Sequence, residues 1–415
     1  MDGSRAGALR RGRRRDARDN DARILDAALS ILATDGWGSL HFSRVSAETQ
    51  ITVSPIRDRF ADRSSLAAQV WAERIQDALL PGVEGIIDAV PDPTSLAEDA
   101  TWLTDRMLEA LQPFEEPAET YLAAIELIIM ARFDPMIAAA VDDSLGSLLA
   151  SRLTPSRDLT PGQAARRGFA VSVALGLLFL ARGVPWPAVS VVPAVSAMCL
   201  AMCEDESPRP LPPERAEHLD AGAVFDTGDP AWDSLLQATL DSVGAFGYEG
   251  ATLDIIARRS GYSTGVIQNR YASKRDLFLD ATRRMLAAAV LLNATYVQVL
   301  GESHSPGIAD AAEMREFMER DRRLVRSISF ERIRLAWHDD EVAEAVRAEV
   351  VAAFNELPEF TGTDSPTPSS RMHFSLALGQ GCALLADLWP AAAELPFDVI
   401  TVPLHNADPS THPSA

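Results

Sequence analysis

Residues 252–277 read TLDIIARRSGYSTGVIQNRYASKRDL. Leu253, Ile256 and Ala257 lie at helical spacing, and Gly261 then stops the helix, because glycine accepts positive φ without a Cβ clash. Ser263 is a good N-cap for a second short helix that carries Ile267. The spacing therefore predicts two short helices joined by a tight turn. Residues 41–66, HFSRVSAETQITVSPIRDRFADRSSL, carry the same pattern. Laying Gly36 over Gly247 gives an offset of 211 that holds without a gap from about residue 24 to residue 67. Ile24, Leu25, Ala28 and Leu32 fall over Leu235, Leu236, Thr239 and Val243. Phe42, Val45, Ile51, Ile56, Phe60 and Leu66 fall over Leu253, Ile256, Tyr262, Ile267, Tyr271 and Leu277. Few of these residues are identical, but matched apolar spacing at one offset means that the same small core is written twice.

Each copy reads as three helices, at about 22–34, 42–48 and from Thr52 onward, and at 231–245, 253–259 and from Ser263 onward. A glycine and an aromatic close the first helix, as Gly36-Trp37-Gly38 and Gly247-Tyr248-Glu249-Gly250. Long Ala/Leu-rich helical stretches follow each copy, broken at Pro91-Asp92-Pro93 and Pro161-Gly162, and strand-like alternation is hard to find. The expected fold is all-α, with two similar units in one chain. Its expected parts are a basic arm (1–20), a first three-helix domain (21–70) and a first helical domain (71–203). A proline-rich acidic linker (204–230), a second three-helix domain (231–282), a second helical domain (283–402) and a disordered tail (403–415) complete it.

With 415 residues, 47% hydrophobic and 23% charged, the chain has room for two or three domains and is not disordered throughout. Three cysteines exclude a disulfide scaffold and suit a reducing cytosol. Residues 169–181 form the longest apolar run, too short for the roughly 20 residues of a membrane span, so a buried helix and a cytoplasmic protein are expected. A net charge of -21 argues against non-specific coating of nucleic acid. Residues 1–20 run the other way, with seven arginines against three aspartates. Lys274 is the only lysine among 38 basic residues.

Two short helices joined by a tight turn form a helix-turn-helix, whose second helix can lie in the major groove. The second copy exposes Ser263, Thr264, Gln268 and Asn269, and Gln or Asn can read adenine. The first offers Thr52, Ser54, Arg57, Asp58 and Arg59, where Arg suits guanine. From Thr252 through Ile256, Ala257, Gly261, Ser263, Gly265, Ile267, Tyr271, Ser273 and Lys274 to Leu277, the stretch resembles the DNA-binding signature of the TetR/AcrR family of bacterial repressors. The resemblance implies that Lys274 anchors a phosphate and includes Gly265 in the signature, while Arg258, Arg259, Arg270, Lys274 and Arg275 give the segment basic flanks suited to phosphates. It also implies a phosphate-contacting tyrosine where Gln268 stands. The first copy matches more loosely: Ser46 replaces the alanine, Gln50 the turn glycine, Arg57 the tyrosine and Arg63 the lysine. Arg63 is expected to hold phosphate, and Gln50 to distort the turn.

Beyond the small domains, 132–135 and 169–181, with counterparts near 337–346 and 372–388, resemble later helices of the family's regulatory domain. In that family such helices pair two subunits, which implies an intramolecular pseudo-dimer here, with further self-association left open. The resemblance also implies a pocket for a small hydrophobic effector. Trp102, Met107, Tyr121, Met130, Met318, Phe330, Trp337, His338 and His373 are its candidate lining, although core packing explains the same spacing. No metalloprotease, phosphate-loop or nucleophile-elbow signature occurs, and no cofactor is implied. Cys199 and Cys203 read as buried thiols, and 338–341 as an aspartate N-cap with an acidic first turn. The expected function is a repressor of double-stranded operator DNA with two unlike half-sites, released by the effector. The alternative is a protein-interaction or ligand-binding module with one or both reading heads inactive.

Overall fold

Helix α1 (Asp2–Thr34) runs unbroken to the first turn glycine. From Asp2 onward the basic stretch 1–20 is helical and continuous with the first helix. The computed structural model describes residues 2–90, 100–183, 195, 225–301, 306–319, 322–355 and 370–396. No strand occurs among the described residues, in keeping with the all-α reading. Cys199, Cys203, the break at 91–93, most of the linker and the tail lie outside them.

The chain packs as two compact units, Met1–Pro81 with Pro117–Leu145, and Gly82–Glu116 with Gly146–Ala415.

In the first unit, α1 is followed by α2 (Phe42–Thr49), α3 (Val53–Arg57) and α4 (Arg63–Val70). A π-helical turn (Trp71–Ile75) leads from α4 into α5 (Gln76–Ala89), which crosses the division at Pro81. Ile24, Leu25, Leu32, Val45, Ile56, Leu66 and Trp71 are wholly or almost wholly buried, as their repeated spacing predicts. Trp71 Nε1 donates to Ser144 Oγ (2.7 Å), which satisfies the one polar atom of that ring. Across α1 lies α7 (Glu119–Met130), an apolar helix whose buried face includes a fully buried carboxylate, Glu126. Between α5 and α7 comes α6 (Ala100–Glu115), a member of the second unit. Asp134 then caps α8 (Pro135–Val141) by accepting from the Met136 and Ile137 N–H groups.

The second unit adds α9 (Ser147–Leu153) and α10 (Pro161–Gly183). Its second three-helix domain is α11 (Pro230–Gly250), α12 (Leu253–Ser260) and α13 (Thr264–Gln268). Then come α14 (Lys274–Gly301), α15 (Pro306–Met318), α16 (Arg323–Ala336), α17 (Asp340–Asn355) and α18 (Ser370–Leu388). Helix α10 is long and apolar enough to cross a membrane by composition, yet 83% of its most apolar window is buried inside the protein. What covers it is chiefly α18. A Cβ built on Gly176 would sit 2.8 Å from Ala377 Cα, and one built on Gly381 would sit 2.5 Å from the Ser172 carbonyl carbon. The two contacts are reciprocal: Gly176 meets Ala377 while Gly381, four residues after Ala377, meets Ser172, four residues before Gly176. Phe179 extends the seam with edge-on contacts to Phe330 (5.2 Å between centroids) and Trp337 (5.3 Å).

Helix α16 departs most from its sequence reading. Arg326, Arg332 and Arg334 are buried, held by Asp387, Glu349 and the Glu249–Glu331 pair respectively. Desolvation lowers the pKa of Arg332 from its ordinary value, against the pull of Glu349.

Candidate nucleic-acid interface

Both small domains are built on the same backbone. Gly36 (φ 77°) and Gly247 (φ 71°) end the first helix of each copy at positions 211 apart. The helix-turn-helix bend falls on Gln50 (φ 59°, ψ 21°) in one and Gly261 (φ 77°, ψ 12°) in the other. The expected distortion at Gln50 does not occur. The residue adopts the left-handed conformation that glycine adopts in the other copy, and its Nε2 donates to the Ala47 carbonyl (2.7 Å). The strain is local and the turn is kept.

Ile56 and Ile267 anchor the third helices in the core, which turns the opposite faces outward. Thr52, Ser54, Arg57, Asp58 and Arg59 are exposed in the first copy. Thr252, Ser263, Gly265, Gln268, Asn269 and Arg270 are exposed in the second, with Thr264 half-buried. Thr52 and Ser263 occupy N-cap positions in extended backbone, but neither side chain makes the capping bond that its residue type predicts. Thr252 does, accepting from the Ile255 N–H (3.3 Å).

The basic residues are not equivalent. Arg59 is paired with Asp21 and Arg270 with Asp229, whose carboxyl is held below its usual range by that guanidinium. Arg57 and Arg258 are exposed without an ion pair among the described residues. Arg63 and Lys274 are half-buried rather than projecting freely. Arg63 lies over the Trp37 ring at 4.3 Å, and Lys274 over the Tyr248 ring at 4.1 Å. Lys274 Nζ also donates to the Tyr248 carbonyl (2.7 Å), and burial lowers its pKa despite Glu249 and Glu331 nearby. Either cation thus spends its charge at least partly inside the protein.

A second network stiffens the later copy alone. Trp232 Nε1 donates to the Tyr271 hydroxyl (2.6 Å), which donates to Asp280 (2.7 Å), and Asp280 also accepts from Arg283 and Arg284. Burial and the Asp280 bond push the Tyr271 pKa up to about 12. In the first copy Phe60 and Asp21 stand at the Tyr271 and Trp232 positions, so this network has no counterpart there.

The candidate effector lining divides between the units. Tyr121 and Met130 belong to the first, where the Tyr121 hydroxyl donates to the Ala78 carbonyl (3.2 Å). Met107, Met318 and Phe330 are buried in the second, Trp337 is half-buried beneath Arg182, and His373 is half-buried with its pKa lowered by desolvation. Trp102 is 46% exposed, and His338 is exposed. Asp339 makes the expected cap, accepting from the Glu341 and Val342 N–H groups.

Tyr262, matched to the buried Ile51 as an apolar position of the repeat, instead projects from the turn (37% exposed), and Arg259, one of the basic residues beside the reading helix, is stacked over the exposed Phe246 ring. Sequence reasoning missed two buried carboxylates behind the turns. Glu126 Oε1 accepts from the Trp37 N–H (2.6 Å), and Glu331 Oε2 from the Tyr248 N–H (2.5 Å). A glutamate within an apolar helical run was the available signal.

These features define a helix-turn-helix domain with an outward polar third helix and basic flanks. Residues 235–281 match a known family, described as bacterial regulatory proteins, tetR family. The match covers the second three-helix domain and supports a DNA-binding regulator of that family. No curated protein shows significant similarity to the chain.

Proposed function

We propose that the chain is a cytoplasmic, non-enzymatic transcriptional repressor that supplies both reading heads of a TetR-like dimer from one polypeptide. The observation that carries this reading is the reciprocal seam of α10 and α18. A two-fold interface is self-complementary, so residue i meets j while the counterpart of j meets the counterpart of i. With Ser172 matched to Ala377 and Gly176 to Gly381, the two glycine contacts obey that rule within one chain. The repeat of the small domain at offset 211, seen again in backbone at Gly36/Gly247 and Gln50/Gly261, supports the same reading.

The reading faces differ: Arg57 heads one, while Gln268 and Asn269 head the other. The operator therefore carries two unlike half-sites about one helical turn apart, roughly 34–36 Å. Linking the heads covalently keeps the pairing at dilution, with an effective concentration up to about millimolar. A small hydrophobic effector in the helical domains favours a head arrangement that no longer fits adjacent major grooves. The loss of operator affinity then equals the coupling energy, about 1–3 kcal/mol.

Selection of random duplex DNA on the purified chain tests this, alongside Arg57→Ala and Asn269→Ala. The expected product is a site with two unlike halves, of which Arg57→Ala relaxes one and Asn269→Ala the other. Light scattering should give a monomer mass. An absence of any enriched sequence would sink the repressor reading and favour the interaction module instead.

A further inference from the structure

The two buried carboxylates belong to a set of contacts made twice. In the first unit, the Trp37 N–H donates to Glu126, Arg63 covers the Trp37 ring, and Ser64 Oγ donates to Asp134 (2.5 Å). In the second, the Tyr248 N–H donates to Glu331, Lys274 covers the Tyr248 ring, and Arg275 donates to Asp339 (2.5 Å). The head residues are related by 211 positions and the acceptors by 205. Trp/Tyr, Arg/Lys and Ser/Arg differ between copies, whereas the acceptors are Glu and Asp both times.

Burial makes the glutamates informative. Both are 0% exposed, and a carboxylate in such a place is costly unless its oxygens are hydrogen-bonded. On α7 its neighbours are Ala123, Ala124, Ile125, Leu127, Ile128 and Ile129, so a leucine would pack there more cheaply. The N–H that each carboxylate accepts follows a turn glycine in non-helical backbone, Gly36 after α1 and Gly247 at the kink within α11. Each aspartate lies about two helical turns further on, and takes its bond from the start of α4 or α14. One contact between two bodies leaves them free to pivot; two separated contacts fix their relative rotation.

We infer that Glu126 and Glu331 are positioning residues: each locks the angle of its reading head to the helix behind it, α7 or α16, so that head and helix turn together. This rests on the DNA-binding reading above. The carboxylates touch no base or phosphate. They act by holding the turn in which Trp37 or Tyr248 sits.

The test uses the full chain carrying Glu126→Ala, Glu126→Gln, Glu331→Ala or Glu331→Gln, and two probes: the selected two-half-site duplex and duplexes holding one half-site. A head that pivots still reads a half-site but meets both halves together less often. Each Ala variant should lose at least about tenfold in affinity for the two-half-site duplex and tolerate changed spacing. Its single-half-site affinity should stay within about twofold. Glu126→Gln, which keeps an acceptor for the N–H, should recover most of the loss; Glu331→Gln should recover less, because the Glu331 carboxylate also accepts from the buried Arg334. Equal losses on both probes would mean a merely structural role and overturn the proposal, as would unchanged affinity on both. Hydrogen exchange of the Trp37 and Tyr248 amides separates this from failure of the DNA reading. If wild type binds no DNA, faster exchange in the Ala variants with Gln rescue still supports the lock, and unchanged exchange refutes it.

Discussion

Gly381→Ala adds one methyl group where α18 crosses α10, and the structure sets its effect. The new Cβ would lie 2.5 Å from the Ser172 carbonyl carbon and 3.0 Å from Gly176 N. Carbon contacts settle near about 3.5–4.0 Å, and the Ser172 carbonyl oxygen lies nearer still, so the helices must part by at least about 1 Å at this point. Both obstructing groups are backbone, so no side chain can swing aside. A gap of that size forfeits about half of each contact well of ~0.1–0.2 kcal/mol, over about 40 atom pairs across the seam. That product is about 2–4 kcal/mol, of which the part that overlaps the usual range for overpacking is about 2–3 kcal/mol. Replacing a helical glycine by alanine returns about 1 kcal/mol. The net expectation is destabilisation by about 1–2 kcal/mol. Gly379, two residues away on the same helix, is the control, because its added Cβ would meet only Phe317 Cε2 at 3.9 Å. Gly379→Ala should therefore stabilise by up to about 1 kcal/mol. Urea unfolding of the two variants should separate them by about 2–3 kcal/mol. If Gly381→Ala proved as stabilising as Gly379→Ala, the close approach, and the reciprocal seam drawn from it, would be wrong.

The turn residues give a paired expectation. Gln50→Gly relieves a left-handed conformation costing about 1–2 kcal/mol, less about 0.5–1 kcal/mol of added chain entropy and the bond to Ala47. It should therefore stabilise by up to about 1 kcal/mol. Gly261→Gln should lose about 1 kcal/mol, although no atom lies within 4 Å of its would-be Cβ, since backbone conformation alone is at fault. Tyr271 predicts an alkaline limb. Its pKa rises from 10.0 to about 12 on folding, so the folded state keeps the proton longer than the unfolded chain. That contribution is complete below pH 10 and lost as pH climbs through the folded value, which urea titration across that range measures. Tyr271→Phe should flatten this limb and, by orphaning Trp232 Nε1, cost about 1 kcal/mol at neutral pH.

Much of the small domain was legible from one sequence. Periodicity marks Ile24, Val45, Ile56 and Leu66 as core because a helix brings i, i+3 and i+4 to one face whatever surrounds it. Glycines 36, 247 and 261 mark turns because no other residue adopts positive φ so cheaply. The same rule misled at Gln50, where the packing of α2 and α3 on their neighbours outweighs a strain of about 1–2 kcal/mol. The exposure of Trp102 and His338 was not legible for a different reason. Aromatic character is a tendency toward burial, and which side of a helix meets the core is settled by its partners.

Local rules also identified the repeat, the helix stops and the outward face of each third helix, since all depend on residues within a few positions of one another. Tertiary structure alone decided the pairings between residues far apart in the chain. Arg326, Arg332 and Arg334 read like any surface arginines of an arginine-rich chain, yet Asp387, Glu349 and the Glu249–Glu331 pair hold them in the interior. Glu126 and Glu331 find their N–H donors more than 80 residues away. Gly176 and Gly381 meet backbone across about 200. Spacing in a sequence encodes which face a side chain takes; what that face touches depends on how the helices are brought together.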